Sequence, residues 1–120
     1  MPDMEIIHQL ANDVGADTAL MLMGIFKDDA NTRMAFVRTY SETGGDVKEL
    51  RVQAHSLKGL CRTYGAARAG DAAMDLQDAC DGGDETLIAE KLRTVLDIIP
   101  DDVEAAIAAM TTLAGENAGA

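Results

Sequence analysis

Apolar residues recur along this chain at steps of three and four, the spacing of helices with one buried stripe. Residues 3–13 predict a short helix with Ile6, Ile7 and Leu10 on its apolar side. Residues 17–42 predict a long one, in which Ala19, Leu22, Met23, Phe26, Ala30, Val37 and Tyr40 keep helical phase, and Thr43-Gly44-Gly45 ends it. Asp46 then stands as an N-cap, with Glu49 three residues on as in a capping box. The third stripe is Val47, Leu50, Ala54, Leu57, Cys61 and Tyr64, stopping at Gly65. A fourth runs over about 66–81 through Ala66, Ala69, Ala73, Leu76 and Cys80 to Gly82-Gly83. The last, over 84–114, follows Ile88, Leu92, Val95, Ile99, Val103, Ala106, Met110 and Leu113. Pro100 falls inside it. The stripe keeps phase across the proline, as in a kinked helix. Pro100-Asp101-Asp102 also has the form of a new helix start, and both arrangements fit the pattern.

Four substantial helices joined by tight turns predict an all-α, up-down antiparallel four-helix bundle with a short extra N-terminal helix. Residues 1–114 form one domain in this reading, and 115–120 a flexible Gly/Ala tail. With 120 residues the chain has enough length for a core without metal or disulfide staples. Aromatics are only 3% of it, so that core is aliphatic and rich in Ala and Met, which suits packed helices better than a sheet. The methionines of the long helix are read as packing. Cys61 and Cys80 sit at apolar-periodic positions without C-x-x-C spacing, and are expected to be buried, reduced thiols. No N-terminal segment has the length of a signal peptide or membrane span. With its Met-Pro-Asp-Met start, the chain is expected to be free-standing and cytoplasmic, and its polar outer faces predict a monomer.

A net charge of −11 argues against nucleic acid and anionic membrane as partners. Its distribution changes the picture. Five of the ten basic residues lie from Lys48 to Arg68, while Asp71 to Glu104 is strongly acidic. A local cationic patch on an acidic protein predicts an anionic partner, or an anionic group carried there.

His55 lies in that patch. At about 100° per residue it points roughly 130° from the centre of the third stripe, toward water. Lys48, Arg51, Lys58, Gly59 and Arg62 share its face, being three, four or seven positions away. Metal binding in a carboxylate bundle needs paired Glu-x-x-His motifs. Glu5-Ile6-Ile7-His8 supplies one half only, so no metal site and no cofactor is expected. A hydrolytic dyad fails because Ser56, though adjacent in sequence, is turned about 100° away. No Gly-rich phosphate loop is present to hold a nucleotide. The remaining chemistry is that of a phosphoryl carrier. A neutral imidazole nitrogen is nucleophilic, its phosphoramidate passes the group on, and Lys58 one turn along can offset a charge close to two negatives. Gln77, at the edge of the fourth stripe, can be brought beside His55 by an antiparallel neighbour and orient the ring. The residues alone equally suit an ordinary solvated histidine, and a glutamine bonded to backbone or water.

Ala54-His55-Ser56-Leu57-Lys58-Gly59, followed by Tyr64-Gly65-Ala66, resembles the signature of histidine-containing phosphotransfer (HPt) domains, and the similarity covers nearly the whole chain. These modules shuttle phosphoryl groups in multi-step phosphorelays. The resemblance implies a four-helix bundle with His55 as phosphoacceptor, Lys58 steadying the phosphoryl oxygens, Gly59 leaving room for the partner, and Gln77 bonded to the imidazole. It implies no ATP site and no catalysis of the module's own. The partners would be receiver domains of response regulators or hybrid histidine kinases, which supply the aspartate and its Mg²⁺. Such a domain would dock across the His55 face, with Val52 and Leu60 as apolar contacts and Lys48, Arg51 and Arg62 as a charged rim. Many relatives have small polar residues after the Lys-Gly pair, where this chain has Leu60-Cys61-Arg62. A non-transferring bundle that regulates a kinase or receiver sterically is the alternative function.

Overall fold

Five helices account for the computed structural model, which describes residues 2–118: α1 (Met4–Val14), α2 (Ala16–Thr43), α3 (Val47–Thr63), α4 (Ala67–Gly82) and α5 (Glu85–Ala118). No strand occurs among the described residues. The helices α2 to α5 close a ring in which α3 packs on α4, α4 on α5, α5 on α2 and α2 on α3. This is the expected four-helix bundle, and α1 is the extra element, lying against α2 and α5. The molecule is 52 Å long and about 20 Å across, the length of α5.

Turn chemistry explains the boundaries. Asp3 caps α1 by accepting from Ile6 N, and Asp46 caps α3 by accepting from Lys48 N at 2.9 Å. Asp84 accepts from both Thr86 N and Leu87 N at the start of α5. Gly65 follows α3 at φ +83°, and a Cβ there would lie 2.9 Å from Ile7 Cγ1. A side chain at this turn would be strained twice over, by backbone and by contact. The carbonyl of Gly65 accepts from Asp3 N at 2.7 Å, which ties the start of α1 to the α3–α4 turn.

The stripes become the core as predicted. All eight stripe residues of α5 are buried, as are Leu50, Ala54, Leu57 and Cys61 of α3. Phe26 stacks on Tyr64 with ring centroids 4.8 Å apart, one of few aromatic contacts available to an aliphatic core. Met23 and Met34 are buried with it. Both cysteines are buried with free thiols. Burial pushes the Cys61 thiol up to about 12, with a further push from Asp102.

Two features depart from the pattern. α5 is a single helix through Pro100, so the fresh-start arrangement is not adopted. Pro100 lacks the N–H that would reach the Leu96 carbonyl, but the apolar stripe is in register on both sides and holds the helix onto the core. The same helix continues to Ala118, so residues 115–118 extend α5 instead of forming a tail; the rest of that segment, 119 and 120, lies outside the described residues. Ala114, buried at the end of the stripe, carries the packing past Leu113.

Asp102 is the one buried charged residue among those described. It faces inward, and its Oδ2 accepts from Ala69 N at 2.8 Å. α4 has no side-chain cap of its own at Ala66. A carboxylate from α5 therefore satisfies one of the orphan amides at the α4 N-terminus, where the helix dipole also favours it.

Candidate functional site

The α3–α4 seam places the candidate residues. His55 is exposed on α3, and its Nδ1 lies 3.1 Å from Gln77 Oε1 on α4. A carbonyl oxygen only accepts, so Nδ1 is the donor in this contact, and a neutral ring held this way has its lone pair on Nε2. Gln77 is half-buried between Ala73 and Cys80, which are both core residues. Packing thus fixes the amide, and the amide fixes the ring.

Gly59, one turn after His55, has nothing within 4 Å of where a Cβ would be. A glycine inside a helix costs about 1 kcal/mol relative to alanine. No internal contact accounts for that cost here, and the space above the backbone is open to a partner. Lys58 is half-buried and makes no ion pair among the described residues.

The remaining predicted residues divide. Lys48 is exposed and Val52, at 49%, is an exposed apolar side chain beside His55. Leu60 packs partly into the core, so it offers a partner less surface than the pattern implies. Arg51 is bound to Asp81 of α4, whose hydrogen bond and charge push its guanidinium still further up. Arg62 also turns to α4: its Nη2 is 3.2 Å from Met74 Sδ and 3.5 Å from Asp71 Oδ1. The cationic patch is therefore less positive than the chain order suggests, because α4 brings carboxylates to both arginines.

Sequence reasoning missed Asp71, Met74 and Asp81 as neighbours of the site. It also assigned Met21 to packing, whereas Met21 and Ile25 stand exposed on α2 at 62% and 59%. They follow each other by one turn, a spacing that signals a shared face but not whether it is covered.

No helix among the described residues is long and apolar enough to cross a membrane. No group of three or more His, Cys, Asp or Glu among them could hold a metal ion.

The bundle displays one imidazole, oriented by an amide, on an open helix face, the arrangement that a carrier module needs. The Hpt domain model matches residues 21–115, and the chain belongs to that family. Hpt domains carry out histidine phosphotransfer in phosphorelays, working with receiver domains as phosphocarriers and not as catalysts. No curated protein and no solved structure matches the chain.

Proposed function

We propose that His55 takes a phosphoryl group from a receiver-domain aspartate and gives it to another. The observation that carries this reading is the His55–Gln77 contact at 3.1 Å on a face that Gly59 leaves open. Nε2 attacks phosphorus as the P–O bond of the aspartyl phosphate breaks, and the aspartate leaves as carboxylate with that electron pair. Nδ1 keeps its proton, bonded to Gln77, so the phosphorylated ring is cationic. On onward transfer the P–N pair returns to Nε2, and a neutral imidazole leaves. Lys58 offsets the phosphoryl charge. Gly59 admits the receiver, Val52 and the exposed part of Leu60 give it apolar contact, and Lys48, Arg51 and Arg62 frame the rim. In this reading the protein works as a cytoplasmic monomer.

The test is incubation with a phosphorylated receiver and Mg²⁺, followed by assay for acid-labile, base-stable phosphate. Wild type should take the label and His55→Gln should not. Label that persists in His55→Gln refutes the assignment, and wild type that binds receivers without labelling supports a steric regulator instead. Lys58→Ala should slow transfer with the melting temperature nearly unchanged.

A further inference from the structure

Three contacts mark the seam between α3 and α4. Arg51 is bonded to Asp81, His55 faces Gln77, and the Arg62 stem crosses Gly70 on its way to Met74 and Asp71. The register is constant, since one turn forward on α3 answers to one turn back on α4. Three residues on from His55 and three back from Gln77, that register pairs the position of Lys58 with that of Met74, whose sulfur lies against Arg62. At this step α4 offers a thioether, whereas it offers a carboxylate to each arginine. Of the two cations within one turn of His55, Arg51 is thus paired, and Lys58 makes no ion pair among the described residues.

Taking His55 as the phosphoacceptor, we infer that Asp81 and Asp71 hold the two arginines away from the phosphoryl group, leaving Lys58 as its nearest counter-charge and keeping the group easy to pass on. The reason is chemical. A guanidinium matches phosphate oxygens with a planar, two-pronged donor set, while an ammonium acts as a point charge on a flexible stem. An arginine free to close on phosphohistidine would stabilise the loaded state itself. Stabilising a ground state without equally stabilising the transition state slows the next step. Exposed ion pairs add little to folding stability, so stability is a weak reason for carboxylates at these two points of the seam.

The phosphoryl step is the P–O for P–N exchange written above, and the inference concerns its equilibrium. The full chain is mixed with a phosphorylated receiver and Mg²⁺ at low ionic strength, and the ratio of phosphohistidine to phosphoaspartate is read at equilibrium. Asp81→Asn and Asp71→Asn should each raise that ratio about three- to tenfold, the effect of one additional cation near a doubly charged group in a water-like dielectric. Arg51→Ala with Asp81→Asn, and Arg62→Ala with Asp71→Asn, should return it to the wild-type value. Unchanged ratios in both asparagine variants overturn the inference while leaving His55 as carrier. A shift that persists after the arginine is removed overturns it too, because the lost carboxylate would then act by itself. Wild type that takes no label overturns the carrier reading and this inference with it.

Discussion

Substituting Gly70 by alanine separates two reasons for a glycine inside a helix. Gly70 is buried as the fourth residue of α4, at the end of its first turn, where alanine is intrinsically better by up to about 1 kcal/mol. Its three nearest prospective Cβ contacts all belong to one side chain: Arg62 Cγ at 2.7 Å, Nε at 3.4 Å and Cδ at 3.6 Å. The first distance is too short for any Cβ, so the Arg62 stem must lift. Lifting it gives up the Asp71 pair, with both side chains largely exposed, worth about 0–1 kcal/mol. It also gives up the packing of the stem against the helix, which long cationic side chains use to cover apolar surface. The gain and the losses are of equal size. Gly70→Ala alone should therefore lie within about 0.5 kcal/mol of wild type.

Removing the obstacle should expose the gain. In an Arg62→Ala background, Gly70→Ala should stabilise by the full helix term, about 1 kcal/mol. The two substitutions then show a coupling energy of roughly that size, as expected for residues in direct contact. Urea unfolding of the four proteins measures it, with a shift in midpoint at constant slope as the signature of a stability change. If Gly70→Ala destabilises equally with and without Arg62, something other than this side chain occupies the notch. If Gly70→Ala alone stabilises by the full amount, the arginine moves aside freely and the glycine is not needed to seat it. Either result refutes the reasoning.

Asp102→Ala should cost about 2–3 kcal/mol in urea unfolding, because it strands the Ala69 amide at a buried helix start. Asp102→Asn should cost clearly less, since an amide oxygen still accepts there. Cys61 makes stability fall at alkaline pH: burial pushes its folded thiol up to about 12, from 9.0 for a free thiol, so the folded state holds a proton that the unfolded chain has lost. The contribution is whole below pH 9 and gone by about 12; Cys80 and Tyr40, also raised, act with the same sign, so the measured quantity is the difference between wild type and Cys61→Ala across that window. Gln77→Leu should leave the fold in place and slow phosphotransfer about fivefold, the equivalent of one hydrogen bond of about 1 kcal/mol. The ¹⁵N spectrum of His55 should then show mixed tautomers; an unmixed spectrum in that variant would mean that Gln77 does not orient the ring.

Much of this fold was legible in the chain, and for a physical reason. Helical phase is a local property, and the glycines at 44, 65 and 83 stop it where the structure stops it. The phase kept across Pro100 suits a continuous helix, and Pro100-Asp101-Asp102 suits a fresh start equally well. What periodicity could not settle was whether the missing Pro100 amide would break the helix, because that depends on how firmly the flanking residues are held. Ile99 and Val103 are both buried, and they hold it. The extension to Ala118 escaped notice since Gly115 reads locally as a breaker, while the burial of Ala114 that supports the last turn is tertiary.

The site was legible to the same depth and no further. Position along α3 is enough to turn His55 outward, and the antiparallel hairpin is enough to bring Gln77 within reach of it. Which carboxylate meets which arginine is another matter. Asp71, Asp75, Asp78 and Asp81 all lie on exposed α4, and charges on exposed faces carry no core penalty that would select one rotation of the helix. Rotation and register are chosen by the buried residues Ala69, Ala73, Leu76 and Cys80, and the surface pairs follow from that choice. Gly59 and Gly70 show the consequence most clearly. In the sequence they are the same residue inside predicted helices, each carrying an intrinsic cost relative to alanine. In the structure one faces open space beside His55 and the other is filled by Arg62. A filled notch is explained by the protein itself; the open one at Gly59 has counterparts at Gly24 and Gly115, so it is the oriented His55 beside it that sets it apart.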